Sequence, residues 1–153
     1  MTPAYDEFIK ALLAGNREAM NTDMNRTVLV AYRYFDTGKR IWEEAEPERF
    51  YHGFVLGLMV ELADRYQITS NRESGFGRYD VLLWPKNGRE DAIILECKVR
   101  NPEDEKDLEE TALEALAQIE RMKYVEVLEE GGVDVGRIRK YGVAFEGKRV
   151  LIR

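Results

Sequence analysis

Asp80, Glu96 and Lys98 are the residues of this chain best suited by type and spacing to chemistry. Glu96 and Lys98 stand two apart in Ile93-Ile94-Leu95-Glu96-Cys97-Lys98-Val99. Side chains of a β-strand alternate between faces, so these two leave the same side. The stretch is rich in Ile, Leu and Val, as a central strand is, and central strands do not bury charge without a reason. Asp80 precedes Val81-Leu82-Leu83, and Asn87-Gly88 between the two apolar runs is a hairpin signal. An antiparallel pair formed there runs Asp80 toward the end of the strand that bears Glu96 and Lys98. Two carboxylates offer hard oxygen ligands to Mg²⁺ or Mn²⁺, which keeps its other positions for water and a phosphate oxygen. A metal so held acidifies a bound water and withdraws charge from the transition state of phosphate-ester hydrolysis. A lysine beside it can orient or deprotonate the attacking water and steady the developing negative charge. The carbonyl of Cys97, between the two side chains, is a further candidate ligand. The same spacing also suits an exposed Glu/Lys ladder with Asp80 as a turn residue, and spacing alone does not separate the two readings.

The elements that must position these residues follow from periodicity and breakers. Thr2-Pro3 caps a helix whose Tyr5, Phe8, Ile9, Leu12 and Leu13 recur at helical spacing, and Gly15 ends it. A second helix is expected over residues 17–35, closed by Asp36-Thr37-Gly38. Pro47 opens a third, reaching about residue 66. Its apolar stripe is Phe50, Tyr51, Phe54, Val55, Leu58 and Leu62, and Leu56 and Val60 make the other side apolar too, so it is expected to be sandwiched within the fold. Three strands are predicted at 67–73, 78–84 and 92–99. Asn101-Pro102 is expected to cap a long helix running to about residue 130, where Gly131-Gly132 breaks it. Residues 140–145 and 149–152 read as a closing hairpin. The order of helices, three strands, a long helix and one or two strands indicates an α/β sandwich with a mixed sheet.

At 153 residues the chain is long enough to bury a core as one domain. Its net charge of −6 argues against a protein that coats nucleic acid nonspecifically. The acidic runs read as solvated helix faces, while Arg72, Arg78, Lys86, Arg89, Lys98 and Arg100 form a basic cluster between them. Arg72 and Arg78 flank a glycine-rich turn and are candidate phosphate contacts. The single cysteine, Cys97, allows no internal disulfide and fits a reducing cytoplasm. No secretory signal is recognisable and no apolar run is long enough to span a bilayer, so a cytoplasmic protein without a membrane role is expected. One histidine, His52, cannot make a zinc site and reads as a core or supporting residue.

Tyr51-His52-Gly53, Asn71-Arg72-Glu73-Ser74-Gly75-Phe76-Gly77-Arg78-Tyr79-Asp80 and Ile94-Leu95-Glu96-Cys97-Lys98-Val99 together resemble the PD-(D/E)XK nuclease superfamily. More narrowly, they resemble the C-terminal nuclease-like domain of prokaryotic proteins with an AAA-ATPase-like N-terminal region. Tyr34-Phe35-Asp36 and the segment from Ala117-Gln118-Ile119 to Tyr124 extend the likeness. The resemblance implies a restriction-endonuclease-like core (helix, three strands, helix, strand) over 47–153, with residues 1–46 as an N-terminal helical extension. It implies Mg²⁺-dependent hydrolysis of DNA, with Asp80 and Glu96 as metal-binding acids, Lys98 as catalytic lysine and Gln118 facing the site from the following helix. Tyr79 replaces the proline that usually precedes the first acid, and Cys97 stands where a bulky apolar residue is frequent. No phosphate-binding loop of an ATPase is present, so an ATPase-like partner would lie outside these residues. The alternative implied function is a catalytically silent module that binds DNA or regulates such an ATPase; the oligomeric state is left open.

The resemblance also implies a third acid, for which Glu61 and Glu73 compete. At about 100° per residue, Glu61 falls roughly 60° from the centre of the apolar stripe of its helix. Partial burial there would call for a metal-bound water or Lys98 as partner. Glu73 belongs to the family-like segment near the turn leading to Asp80. Helix geometry favours Glu61.

Overall fold

The computed structural model of the protein describes residues 3–35, 46–72 and 77–153, with the side chains of residues 3, 30–35, 46–49, 52 and 72 outside that description. Thr2, the expected turn at Asp36-Thr37-Gly38, and Glu73 therefore lie outside the described residues. The elements run α1 Pro3–Ala14, α2 Arg17–Phe35, α3 Glu46–Leu62, β1 Tyr66–Arg72, β2 Arg78–Pro85, β3 Ala92–Val99, α4 Leu108–Arg121, α5 Tyr124–Glu130, a short 3₁₀ turn at Val135–Arg137, β4 Ile138–Glu146 and β5 Arg149–Ile152. The five strands pair in chain order. The first three are antiparallel neighbours, β3 and β4 are parallel, and β5 returns antiparallel to β4. This is the mixed sheet flanked by helices expected of a restriction-endonuclease-like core.

Strand alternation divides the core in two. Tyr79, Val81 and Leu83 of β2 with Ile93, Leu95 and Cys97 of β3 face α1, α2 and α3, whose Phe8, Leu12, Met20, Met24, Phe54 and Leu58 complete one apolar cluster. The other face carries Leu82, Ala92 and Ile94, covered by Ile119 of α4 and by Tyr124 and Leu128 of α5. The N-terminal helices thus share one core with the sheet. They also finish its edge. Asn21 donates to the Ile152 carbonyl and accepts from its N–H, and Asn25 does the same with Val150. Four residues of helix and two of strand both advance roughly 6–7 Å, so two asparagines one turn apart can imitate a neighbouring strand. The edge of β5 is thereby closed to pairing with other chains.

Three expectations need correction. Helix α3 is not sandwiched: Leu56 and Val60 are exposed while Tyr51, Phe54, Leu58 and Leu62 are buried. Asn101-Pro102 does not start the long helix. Asn101 instead closes a turn by accepting the N–H groups of Asp104 and Glu105, and the cap of α4 is Asp107, whose side chain accepts the Glu110 N–H at 2.9 Å. The helix also does not run through to residue 130, because Lys123 adopts a left-handed conformation (φ 55°) and splits it into α4 and α5.

Candidate active site

The β2–β3 register brings the site together. A tight two-residue turn at Asn87-Gly88 would pair positions 86 and 89, and hence Asp80 with Leu95, leaving Asp80 and Glu96 on opposite faces. The connection is longer, over residues 86–91, and the register moves by one. Asp80 consequently lies directly opposite Glu96, and Arg78 opposite Lys98. Since a shift of one residue exchanges the faces of a strand, this loop length decides whether a site exists.

All three side chains are sealed in. Asp80 and Glu96 are each 1% exposed and Lys98 6%, which excludes the exposed ladder with Asp80 as a turn residue. They occupy the face covered by α4 and α5. Asp80 accepts hydrogen bonds from the Tyr124 hydroxyl at 2.5 Å and from the Asn71 amide at 3.3 Å. From the other side of the sheet the Tyr51 hydroxyl donates to the Asp80 carbonyl at 3.0 Å, with its ring stacked on Tyr79 at 4.1 Å. Burial raises the Tyr51 phenol above its ordinary range, and the charges of Asp80 and Glu96 contribute in the same direction. Lys98 makes a buried ion pair with Glu105.

Glu96 has Asp80 as its register neighbour on one side and Gly142 of β4 on the other. A Cβ at Gly142 would lie 2.3 Å from the Ala112 carbonyl and 3.1 Å from Leu116 Cγ, so the glycine lets α4 lie close on the sheet beside the acids. Gly142→Ala must push the helix backbone away and should cost about 1–3 kcal/mol. Thermal melting should show a fall of roughly 3–10 °C. An unchanged melting temperature would mean that α4 has slack over this face.

The other expected site residues distribute unevenly. Gln118 is half-buried on α4, where its side-chain oxygen accepts from Arg121 Nε at 3.0 Å. Arg78 is 3.5 Å from Glu114 of α4 at the rim. Arg72 ends β1 opposite Tyr79. Glu61 does not join the site. It is exposed on α3, on the opposite side of the sheet, and its charge acts on Tyr5 of α1, whose phenol is raised chiefly by burial and further by Glu61. The apolar stripe of α3 is buried as its spacing indicates, but it packs on the face of the sheet opposite Asp80 and Glu96. The basic cluster also separates: Lys86 and Arg89 sit at the far end of the β2–β3 hairpin, and Arg100 pairs with Glu146. The Cys97 thiol points away from the acids into the helix-covered core, and burial pushes it well above the ordinary thiol range, so only the carbonyl of Cys97 could serve a metal.

Two residues of this region went unread in the sequence, Glu105 and the Asp80-binding role of Tyr124. Glu105 lies in an acidic run whose composition is that of a solvated face. Tyr124 is aimed by the left-handed break at Lys123, and no residue type there signals one.

The donor set fits a divalent cation. Two like charges buried directly opposite one another are unfavourable unless a cation or a proton intervenes. Asp80 and Glu96 would offer hard carboxylate oxygens to such a cation. Among the described residues no group of three or more His, Cys, Asp or Glu side chains could hold a metal ion.

A sequence model of the PD-(D/E)XK nuclease superfamily matches residues 46–153, a span that holds all five strands, α3 to α5 and every residue of the site just described. The chain belongs to the PD-(D/E)XK nuclease superfamily. No curated protein and no solved structure matches it. Divalent metals are general in the superfamily. Among the described residues no helix is long and apolar enough to cross a membrane.

Proposed function

We propose that this PD-(D/E)XK protein hydrolyses phosphodiester bonds of DNA, with Asp80 and Glu96 holding Mg²⁺ or Mn²⁺ and Lys98 serving the attacking water. The observation that carries the reading is the direct opposition of Asp80 and Glu96, with Lys98 two residues further along the same buried face. When bound, the ion supplies Lewis-acid activation of water and of the scissile phosphate. Tyr124 and Asn71 fix the orientation in which Asp80 offers its oxygens. The Cys97 carbonyl can add a ligand between the two strand side chains. Lys98 places a fixed positive charge beside the acids, where it can orient the attacking water and neutralise a phosphate oxygen. Arg78, opposite Lys98 in register, would meet flanking phosphates, and Gln118 would border the site from α4; the side chain of Arg72, the other candidate phosphate contact, lies outside the described residues.

A silent module that only bound DNA or regulated an ATPase partner would have no use for three charged side chains sealed together, an arrangement that costs stability. Turnover is therefore the favoured reading. Incubation with single-stranded, duplex and branched DNA should give cleavage in Mg²⁺ or Mn²⁺, little in Ca²⁺ and none with chelator. DNA affinity should fall steeply with salt, because the contacts are basic side chains on phosphates. Folded protein that binds Mn²⁺ yet cuts none of these substrates would favour the silent module.

A further inference from the structure

Glu105 is a buried carboxylate that the reading above leaves without a role. It is 6% exposed, in the connection between β3 and α4, and one of its oxygens takes the Lys98 ammonium. Its other oxygen accepts the Asn101 N–H at 2.9 Å and the hydroxyl of the fully buried Thr111 at 3.0 Å. The connection is itself tied down, since Arg100 donates to the carbonyls of Glu105 and Lys106. We propose that Glu105 is the positioning residue of the nuclease site, holding the Lys98 ammonium in place from a carboxylate clamped by Asn101 and Thr111.

This inference rests on the nuclease reading for the role of Lys98. A lysine has four side-chain torsions, and a charge that must act on one water gains from being fixed beforehand. Two alternatives fit less well. If Lys98 were merely parked on Glu105, its release would break a buried pair and leave the freed form depopulated roughly a hundredfold or more. If Glu105 were a metal ligand, it would have to give up donors already placed on both of its oxygens.

Glu105→Gln isolates the contact. The Asn101 N–H and the Thr111 hydroxyl require an oxygen at their side, so the amide nitrogen must face Lys98, and donor then meets donor. The variant should fold cooperatively with a lowered melting temperature. Its kcat for DNA cleavage should fall roughly 10- to 100-fold with KM within about twofold of the parent and calorimetric Mn²⁺ affinity unchanged. Thr111→Val, which loosens the clamp without touching the ion pair, should lower kcat by a smaller factor with the same KM. A kcat within twofold of the parent in folded Glu105→Gln would overturn the proposal, and so would a parallel loss of Mn²⁺ affinity, which would make Glu105 a ligand. Should Glu105→Gln not fold, an unchanged kcat in Thr111→Val overturns it. If the parent protein cuts no DNA, the nuclease reading fails by itself. The clamp is then judged by the ¹⁵N ammonium resonance of Lys98, visible in the parent and lost in Glu105→Gln if the inference holds, unchanged if it does not.

Discussion

Lys98→Ala is expected to lower DNA cleavage by at least about a thousandfold and, separately, to destabilise the protein by about 3–5 kcal/mol. The first effect follows from removing the only positive charge sealed on the face of Asp80 and Glu96 among the described residues. The second follows from Glu105. Its carboxyl is opposed by burial, but Lys98, the Asn101 N–H and the Thr111 hydroxyl together hold it below its ordinary range, so it stays charged when folded. Deleting the lysine strands that charge inside the protein. At about 2–4 °C per kcal/mol for a chain of this size, melting should fall by roughly 10 °C. The two effects separate in Lys98→Met combined with Glu105→Gln. The double variant carries no stranded charge, so it should melt clearly above Lys98→Ala, though below the parent because the buried amide introduced at position 105 meets no acceptor, while remaining inactive. Calorimetric Mn²⁺ binding should survive in both, because the acids are untouched. If the double variant melts as low as Lys98→Ala, the ion pair is not what the single substitution breaks.

The parts legible in the sequence were those governed by local period. Alternation in 93–99 put Glu96 and Lys98 on one face, apolar spacing located α1 and α3, and turn and breaker signals bounded α2 and the five strands to within a few residues. Register was less legible, because it depends on one residue of loop length. Asn87-Gly88 marks a turn, yet Asp80 faces Glu96 only because that turn is wider than two residues. Glu61 was misread for a related reason: periodicity tells which side of a helix is buried but not which face of a sheet it covers. Glu105 was hidden by its neighbours, since Glu103, Asp104, Lys106 and Asp107 are all exposed and only position 105 turns inward. The inward turn comes from Asn101 holding the Asp104 and Glu105 N–H groups, a tertiary detail of the loop that its charge run conceals.

Glu96→Gln should separate folding from function in the opposite sense. Without metal, the variant should melt higher than the parent by about 3–6 °C, a gain of about 1–2 kcal/mol. Asp80 and Glu96 are direct register partners, both buried, and the Tyr124 hydroxyl and Asn71 amide favour the charged form of Asp80. Neutralising Glu96 removes the like-charge repulsion while keeping the shape of the side chain beside Gly142, so no cavity or clash offsets the gain. The same change removes half of the carboxylate set, and Mn²⁺ affinity should drop at least about a hundredfold with complete loss of cleavage. Metal then reverses the order of stability. At a hundred times its dissociation constant an ion stabilises the parent by about 2.7 kcal/mol, more than the substitution gains, while the variant gains almost nothing. Melting curves of the two proteins recorded across a Mn²⁺ titration should therefore cross. Curves in which Glu96→Gln lies below the parent even in chelator would show that the two acids do not repel in the metal-free fold, and the argument for a cation between them would lose its physical basis.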